Sequence, residues 1–95
     1  MIERHITFNV HPDRTTDFER FFAEQYRPAM AQAQGFVRVE LLREAGDPTR
    51  YQMVLRFGDA EASAGWRTSP VHTALQPALA ALFSTNEIQA YEVVE

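Results

Sequence analysis

The spacing of apolar residues changes along this chain in an order that few folds can satisfy. Apolar and polar residues alternate over Ile2–Val10, which is typical of a half-buried strand. Helical spacing follows, then two strands over Phe36–Arg43 and Arg50–Phe57, helical spacing again, and a last strand over Ile88–Val94. With right-handed crossovers, this order predicts an α+β, ferredoxin-like fold, in which a four-stranded antiparallel sheet carries its helices on one face.

Capping residues indicate where the first helical region begins and ends. Thr16 followed by Glu19 matches a capping box, with Asp13 as an alternative N-cap. Pro28 lies within the apolar stripe and should kink the helix or break its hydrogen-bond ladder. Gly35 stands where a C-terminal glycine is expected.

The second helical region divides into two pieces. Asp59 is the expected N-cap of a short helix, and Ser69 is that of a second helix with Pro70 in its first position. Pro77 should bend this second helix, and Asn86 is the expected terminator before the last strand.

The sheet face away from the helices is predicted to carry a mixture of apolar and charged residues. These residues are Phe36, Leu42 and Val54 together with Arg38, Glu40, Gln52 and Arg56. The mixture is too apolar for open water and too polar for a private core. A single domain over residues 1–95 that is 45% hydrophobic also has more apolar surface than a chain of this size can easily bury. We therefore expect a homodimer in which two sheets meet face to face, a dimeric α+β barrel.

Composition excludes several classes of function. The net charge is -4 without any basic run, which argues against nucleic acid or an anionic membrane as a partner. Cysteine is absent, the four glycines form no dinucleotide or phosphate-binding motif, and the three histidines do not have the spacing of a metal site. We expect no cofactor and no metal. No signal peptide or membrane-spanning run is present, so a cytoplasmic location is expected.

The segment Gly65–His72 holds the residues best suited to chemistry. The only tryptophan, Trp66, precedes His72 by six residues, and His72 falls in the first turn of a predicted helix. The positive end of the helix dipole disfavours an imidazolium there, so His72 should be a neutral proton acceptor. We predict His72 as the catalytic residue and Trp66 as the wall of a site for a small aromatic ligand. The alternative is that His72 only packs or caps and that Trp66 only anchors the core.

Three further residues are candidates for substrate contact. His5 lies on the polar side of the first strand, where it could line a pocket or form hydrogen bonds at a dimer interface. Asn9 shares that side, although ordinary surface polarity would explain it equally well. Tyr51, like Tyr26 and Tyr91, could donate to a substrate oxygen, but buried tyrosines usually satisfy their hydroxyls within the protein.

The region from Phe57 to His72 resembles the Trp-x-x-Ser-x-x-His region of the antibiotic biosynthesis monooxygenase superfamily. Val10-His11-Pro12 followed by Phe18, and Gly35-Phe36 at the start of the second strand, match the same layout. The resemblance extends over about residues 6–94. It implies a dimeric α+β barrel with a pocket in each subunit between the sheet and the helices.

The resemblance also implies a chemistry, which some members perform without metal or flavin on phenols or quinols. The protein binds an electron-rich ring, removes a phenolic proton and stabilises the anion that reacts with O2. By this resemblance Trp66 is a pocket wall and His72 the proton acceptor. The primary hypothesis is thus a cofactor-independent monooxygenase that oxidises a small electron-rich aromatic with O2.

Two alternatives remain open. Polyketide oxygenases of this superfamily carry a polar residue one turn before the tryptophan, whereas Ala62 stands there, which favours a non-catalytic dimeric module for small ligands or partners. A second branch degrades haem with an Asn on the first strand and a His one turn beyond the position of His72. Here His5 and Gln76 occupy those places, so haem binding or degradation is the least favoured hypothesis.

Overall fold

The computed structural model describes all residues from Met1 to Glu95. In chain order the elements are β1 (Ile2–Val10), α1 (Thr15–Phe21), a π-helical segment (Phe22–Tyr26), α2 (Arg27–Ala31), β2 (Phe36–Arg43), β3 (Arg50–Phe57), α3 (Ala60–Arg67), α4 (Pro70–Ala80) and β4 (Phe83–Glu92).

The strands form one antiparallel sheet in the order β2-β3-β1-β4, with β1 at its centre. Ile6 of β1 lies opposite Met53 of β3 on one side and Ile88 of β4 on the other. The predicted ferredoxin-like architecture is therefore confirmed. It arises because each helical crossover returns the chain to the same face of the sheet.

The core lies between the sheet and the helices. Its sixteen buried apolar residues come from every element type: Ile6, Phe8, Val10, Phe18, Phe21, Phe22, Tyr26, Met30, Val39, Tyr51, Met53, Leu55, Phe57, Trp66, Leu79 and Leu82. Aromatic pairs connect the layers, as where Phe8 of the sheet meets Phe18 of α1 at a centroid distance of 5.3 Å. Such pairs prefer tilted geometry, and here the rings are inclined by 59°.

Pro28 changes the helix type instead of ending the helix. A proline lacks the N–H that would bond to the carbonyl four residues earlier, and its ring crowds that carbonyl. The turn before it, Phe22–Tyr26, is π-helical, and the N–H of Arg27 bonds to the carbonyl of Phe22 five residues back. The chain thus passes from α1 to α2 without a break.

Gly35 occupies the one left-handed position of the backbone, with φ of 80°. A Cβ placed there would lie 2.5 Å from the Cβ of Ala62 in α3, so only glycine lets the connection into β2 approach this helix. The Gly35 carbonyl also accepts the Gly58 N–H at 2.8 Å. The predicted role of Gly35 as the C-terminal glycine of the helix is wrong, because α2 ends at Ala31 with Gln32 in the C-cap position. Gly35 instead lies in the turn that leads into β2, where the Phe36 N–H donates to the Ala33 carbonyl.

The predicted N-terminus of the first helix is wrong. Helix α1 begins at Thr15 and its N-cap position is Arg14, whose side chain makes no capping bond. Thr16 lies inside the helix, so neither the capping box nor Asp13 operates. Instead the Arg14 side chain donates to the carboxylate of Asp17 at 2.9 Å, an acidic partner in the first turn.

The predicted start of the last strand is also wrong. β4 begins at Phe83, and Asn86 lies within the strand opposite Phe8, so it terminates nothing. Pairing with β1 overrides the weak strand propensity of this polar segment, because β1 offers a complete row of backbone donors and acceptors. Helix α4 itself continues through Pro77 to Ala80 as one element.

The open face of the sheet lies away from the helices and holds Leu42 and Val54 as predicted. Phe36 does not belong to it. A register shift between Phe36 and Arg38 moves Phe36 to the helix side, where its ring lies 6.1 Å from that of Phe57. The single chain leaves this face uncovered, and the expected dimer through it stays a prediction. No helix here has the length and hydropathy to cross a membrane.

Candidate functional site

Two side-chain caps fix the helices that carry the site. The Asp59 carboxylate accepts the Ala62 N–H at 2.8 Å and begins α3. The Ser69 hydroxyl accepts the His72 N–H at 3.1 Å and donates to the Trp66 carbonyl at 2.8 Å. Both predicted N-caps are confirmed. Ser69 therefore connects the end of α3 to the first turn of α4 and sets the relation between Trp66 and His72.

Three aromatic rings meet at this junction. The Trp66 and His72 rings contact edge to face, with centroids 5.2 Å apart and planes inclined by 77°. Tyr26, at the end of the π-helical segment, lies 5.8 Å from Trp66 and 6.4 Å from His72, again nearly perpendicular to each. The rings contact one another directly, so no flat ligand fits between the indole and the imidazole. A ligand can only lie beside this group.

His72 is held neutral near pH 7. Burial lowers its pKa most, and the positive charge of Arg4 lowers it further. A hydrogen bond with the Arg67 backbone raises this pKa, while the charge of Arg67 lowers it slightly. The Gln76 amide nitrogen lies 3.1 Å from Nε2 of His72. An amide NH2 group can only donate, so Nε2 is the acceptor and the neutral ring carries its proton on Nδ1.

Tyr26 joins the site from the apolar stripe of the first helical region. It is 3% exposed, and burial raises the pKa of its phenol above the usual value. Hydrogen bonding with Trp66, the charge of Arg4 and hydrogen bonding with Gln76 act in the opposite direction. Tyr26 is thus a neutral phenol at pH 7 whose oxygen faces the polar groups of the site. No sequence signal distinguishes it from the other tyrosines, because helical spacing treats every buried aromatic alike.

Arg4 is a second residue of the site that sequence reasoning passed over. It lies on the helix side of β1, opposite Leu55 and Ala90, and its Nε is buried without any hydrogen-bond partner. Burial lowers the pKa of this guanidinium, and the charge of Arg67 lowers it further. A signal was present in the sequence, since Arg4 is the one charged residue on the apolar side of the alternating first strand.

The surface beside this group is open along β4. Residues Asn86, Ile88 and Ala90, here called the β4 strip, share the helix-side face with Arg4 because they pair with β1 in register. All three are exposed, and Ile88 is 51% exposed to solvent. The helices therefore leave this part of the sheet uncovered beside Arg4.

A separate cleft of about 630 Å³ opens on another side of Trp66. Its lining is mixed and comprises Ala29, Gln32, Ala33, Gln34, Gly35, Asp59, Glu61, Ala62, Gly65, Trp66, Ser69 and Val71. His72 is not among these residues. The cavity expected beside Trp66 therefore exists, but the imidazole does not face into this part of it.

Comparison with known proteins agrees with this architecture. The family model described as antibiotic biosynthesis monooxygenase matches residues 1–78. The chain belongs to the antibiotic biosynthesis monooxygenase family. No curated protein gives a significant match.

Several solved structures align with nearly the whole chain. SnoaB, a cofactor-independent oxygenase from Streptomyces nogalater, is 29% identical with a TM-score of 0.88, and the alignment covers 99% of this chain and 93% of that one. A Bordetella bronchiseptica protein named for the same family is 25% identical with a TM-score of 0.87, covering 99% and 97%. A conserved protein from Methanosarcina mazei Go1, 16% identical with a TM-score of 0.86 and coverage of 96% and 90%, shares the fold.

The structure does not bring His5 and Asn9 together with Trp66 and His72. Both side chains lie on the open face of the sheet, away from the helices. His5 Nε2 lies 2.7 Å from the Glu3 carboxylate, and its ring lies 4.7 Å from that of Tyr91. The Asn9 amide donates to Thr85 at 2.8 Å. Alternation along β1 separates them from Arg4 by the thickness of the sheet.

Tyr51 lies on the helix side but at another place. It pairs with Phe8, four residues along β1 from Arg4. Its hydroxyl donates to the Glu19 carboxylate at 2.5 Å, and Arg43 binds the same oxygen at 2.9 Å. These groups line a second cleft of about 610 Å³ that does not include Trp66 or His72. No three or more His, Asp or Glu side chains are grouped so as to hold a metal ion.

Proposed function

We propose that this protein is a cofactor-independent monooxygenase that oxidises a small electron-rich aromatic compound with O2. One observation carries the proposal: His72, whose pKa is lowered by burial, is held in contact with Trp66. Membership of the antibiotic biosynthesis monooxygenase family and the 29% identity to the SnoaB oxygenase support the class of reaction. The substrate ring would lie along the β4 strip with its hydroxyl toward His72.

The chemistry follows from the protonation state of His72. A neutral imidazole accepts the hydroxyl proton at Nε2, and the substrate hydroxyl replaces the Gln76 amide there. The resulting anion is electron-rich enough to reduce O2 directly. For an anthrone, the ring CH2 becomes C=O, one oxygen atom enters the product, and the other leaves as water with the two hydrogens. The ring supplies all the electrons that O2 takes up.

Oxygen consumption tests the proposal. Purified protein, dialysed against a chelator and checked for absence of flavin absorbance, is mixed with 1,8-dihydroxyanthrone and related hydroquinones in an oxygen electrode. We expect one O2 consumed per anthrone converted to anthraquinone. His72→Ala should lower the rate by about 10²–10⁴-fold, as is usual for loss of a general base.

A matched histidine provides the control. His11 follows β1 and forms hydrogen bonds only through its backbone, to Leu82 and Arg14, so His11→Ala should retain the wild-type rate. Turnover that is absent from the wild type, or equal in wild type and His72→Ala, would overturn the proposal. Trp66→Phe should raise KM more than it lowers kcat if the indole binds the ring without reacting.

Non-catalytic binding of an apolar ligand is the second candidate. The cleft of about 630 Å³ beside Trp66 favours it, because that cleft contains Ala62 and lacks His72. Quenching of Trp66 fluorescence by polycyclic ligands that are recovered chemically unchanged would support this candidate. Closure of the cleft by Ala62→Leu should then abolish quenching and leave any oxygenase activity of the His72 side in place.

A further inference from the structure

Two arginines beside His72 have no acidic partner. The seven ion pairs of the chain involve His5 and five other arginines, and none includes Arg4 or Arg67. The chain has 13 acidic residues for nine arginines, so partners are not scarce. Glu92 shares the helix-side face of β4 but makes no ion pair with Arg4.

The burial of Arg4 makes the missing partner costly. Its Nε is enclosed and donates to nothing. An enclosed guanidinium donor without an acceptor loses its hydration without compensation, which is unfavourable. A surface arginine would avoid this cost by turning into solvent. Arg4 cannot turn away completely, because the pleat of β1 directs it toward the helices.

Arg67, the last residue of α3, follows Trp66 directly and contributes the second positive charge near His72. Its Nη1 donates to the Ser63 hydroxyl at 3.2 Å, one helical turn earlier in α3. Ser63 is the one polar residue of the chain that is fully buried, at 1% exposure. This is the only side-chain hydrogen bond of Arg67, so most of its donors are unused. Arg67 is exposed, so its other donors are free to bind water or a ligand.

The remaining polar groups of the site are neutral. Tyr26 keeps its proton, Gln76 is an amide, and His72 is an uncharged imidazole. Proton transfer from a substrate to His72 would add a third positive charge to Arg4 and Arg67. These positive charges are balanced only if the ligand carries a negative charge.

We propose that Arg4 and Arg67 together bind an oxyanion borne by the aromatic ligand, either a carboxylate that it carries or the oxygen that it ionises. The inference rests on the proposed function only in placing the ring beside Trp66 and His72. It adds a substrate class, ring compounds with an anionic oxygen group. It also assigns a role to two residues outside the Trp66 and His72 pair.

Ligand binding without turnover tests this inference separately from the oxygenase proposal. Anthraquinone-2-carboxylate and its neutral isostere anthraquinone-2-carboxamide already carry oxidised rings, so the readout is affinity alone. Each is titrated at pH 7.5 against wild type, Arg4→Gln, Arg67→Gln and Arg20→Gln, with quenching of Trp66 as the signal. Arg20 is an exposed arginine of α1 without an ion pair and is the matched control.

We expect the wild type and Arg20→Gln to bind the carboxylate at least about tenfold more tightly than the carboxamide, with a preference that weakens as salt is added. Arg4→Gln and Arg67→Gln should each reduce this preference severalfold, and the double variant should abolish it. Equal affinities in the wild type, or a preference that survives in the double variant, would overturn the inference. Far-UV circular dichroism confirms that each variant is folded.

A third ligand separates the two sources of the oxyanion. 2-Hydroxyanthraquinone is titrated above and below its own ionisation midpoint in wild type and Arg4→Gln. Tighter binding of the ionised form by the wild type alone would indicate that the pair also holds a phenolate. Preference for the carboxylate without this effect would assign the pair to a carboxylate substituent.

Discussion

The indole of Trp66 meets the imidazole of His72 edge to face, at a centroid distance of 5.2 Å and an inclination of 77°. This contact leaves no space for a ring between the two side chains. In the proposed function, a substrate ring would therefore have to lie beside this pair and not between its members.

The pH dependence of turnover should follow the protonation of His72. Its pKa lies below the usual 6.5, and only the neutral ring accepts a proton. The value of kcat/KM should therefore rise with pH through a midpoint below 6.5 and then become level. Arg4→Gln removes one of the charges that depress this pKa, so its midpoint should move upward. A wild-type profile that falls over this range as pH rises would contradict the assignment of His72 as the base.

Ser69→Ala should loosen the junction of α3 and α4. It removes the cap of the His72 N–H and the hydroxyl bonded to the Trp66 carbonyl, at a cost of about 0.5–2 kcal/mol. Urea unfolding followed by Trp66 fluorescence measures the change. Thr73→Ala, at an exposed position of α4, should leave the free energy of unfolding nearly unchanged. Equal effects of the two substitutions would exclude a special role of the cap.

Gly35→Ala should destabilise the fold. The substitution combines a left-handed backbone position, at φ of 80°, with a Cβ contact of 2.5 Å to Ala62. We expect a loss of about 2–4 kcal/mol in the free energy of unfolding, from strain and overpacking together. Gly46 lacks positive φ, and a Cβ added there would have nothing within 4 Å, so Gly46→Ala is the control and should be nearly neutral. Thermal unfolding compares the two.

Glu3 should stabilise the protein at neutral pH and cease to do so in acid. Hydrogen bonds from His5 and Arg56 hold its pKa at about 2, against a usual value of 4.5. Its contribution is fully present above pH 4.5 and is lost as the pH falls from 4.5 toward 2. Glu3→Gln should thus cost about 1–2 kcal/mol at pH 7 and much less near pH 2.5. Glu87→Gln, on exposed β4, is the control, and a constant difference at all pH values would argue against this account.

The open face of the sheet should hold two copies together. Val54 lies near its centre, opposite His5 and Glu40 on the neighbouring strands. We expect a homodimer by size-exclusion chromatography with light scattering, and Val54→Glu should give a folded monomer because it buries an unpaired charge at the interface. Val94→Glu changes a residue that is 92% exposed and should leave the dimer intact. A monomeric wild type would refute the expectation.

Local sequence rules located most of the elements of this fold. The alternation over β1 placed Ile6, Phe8 and Val10 on the buried face, and the caps at Asp59 and Ser69 are where the residue types indicated. The errors occurred where neighbours in space overrule local preference. Asn86 is a poor strand residue, yet β4 includes it because the backbone of β1 pairs with it.

The sequence predicted only some residues of the candidate site. Trp66 and His72 are six residues apart on adjacent predicted helices, so the sequence predicted that both belong to one site, and it predicted Ser69 as the N-cap between them. Tyr26 and Arg4 come from distant parts of the chain, and only the packing of the helical region on β1 brings them to His72. For His5 the sequence left two roles open, lining a pocket or forming hydrogen bonds at a dimer interface, and the pleat of β1 turns it to the face opposite Trp66 and His72.

By itself the sequence determined the order of helices and strands, the face that each strand buries, and the junction that joins Trp66 to His72. These are properties of residue spacing and of hydrogen bonds within a few positions, so they do not depend on distant partners. The tertiary structure decided that the indole and imidazole touch directly, that Arg4 and Arg67 lie near His72 without an acidic partner, and that β4 remains uncovered beside Arg4. Such features depend on which distant side chains share a space, because burial and Coulomb interactions act across space and not along the chain.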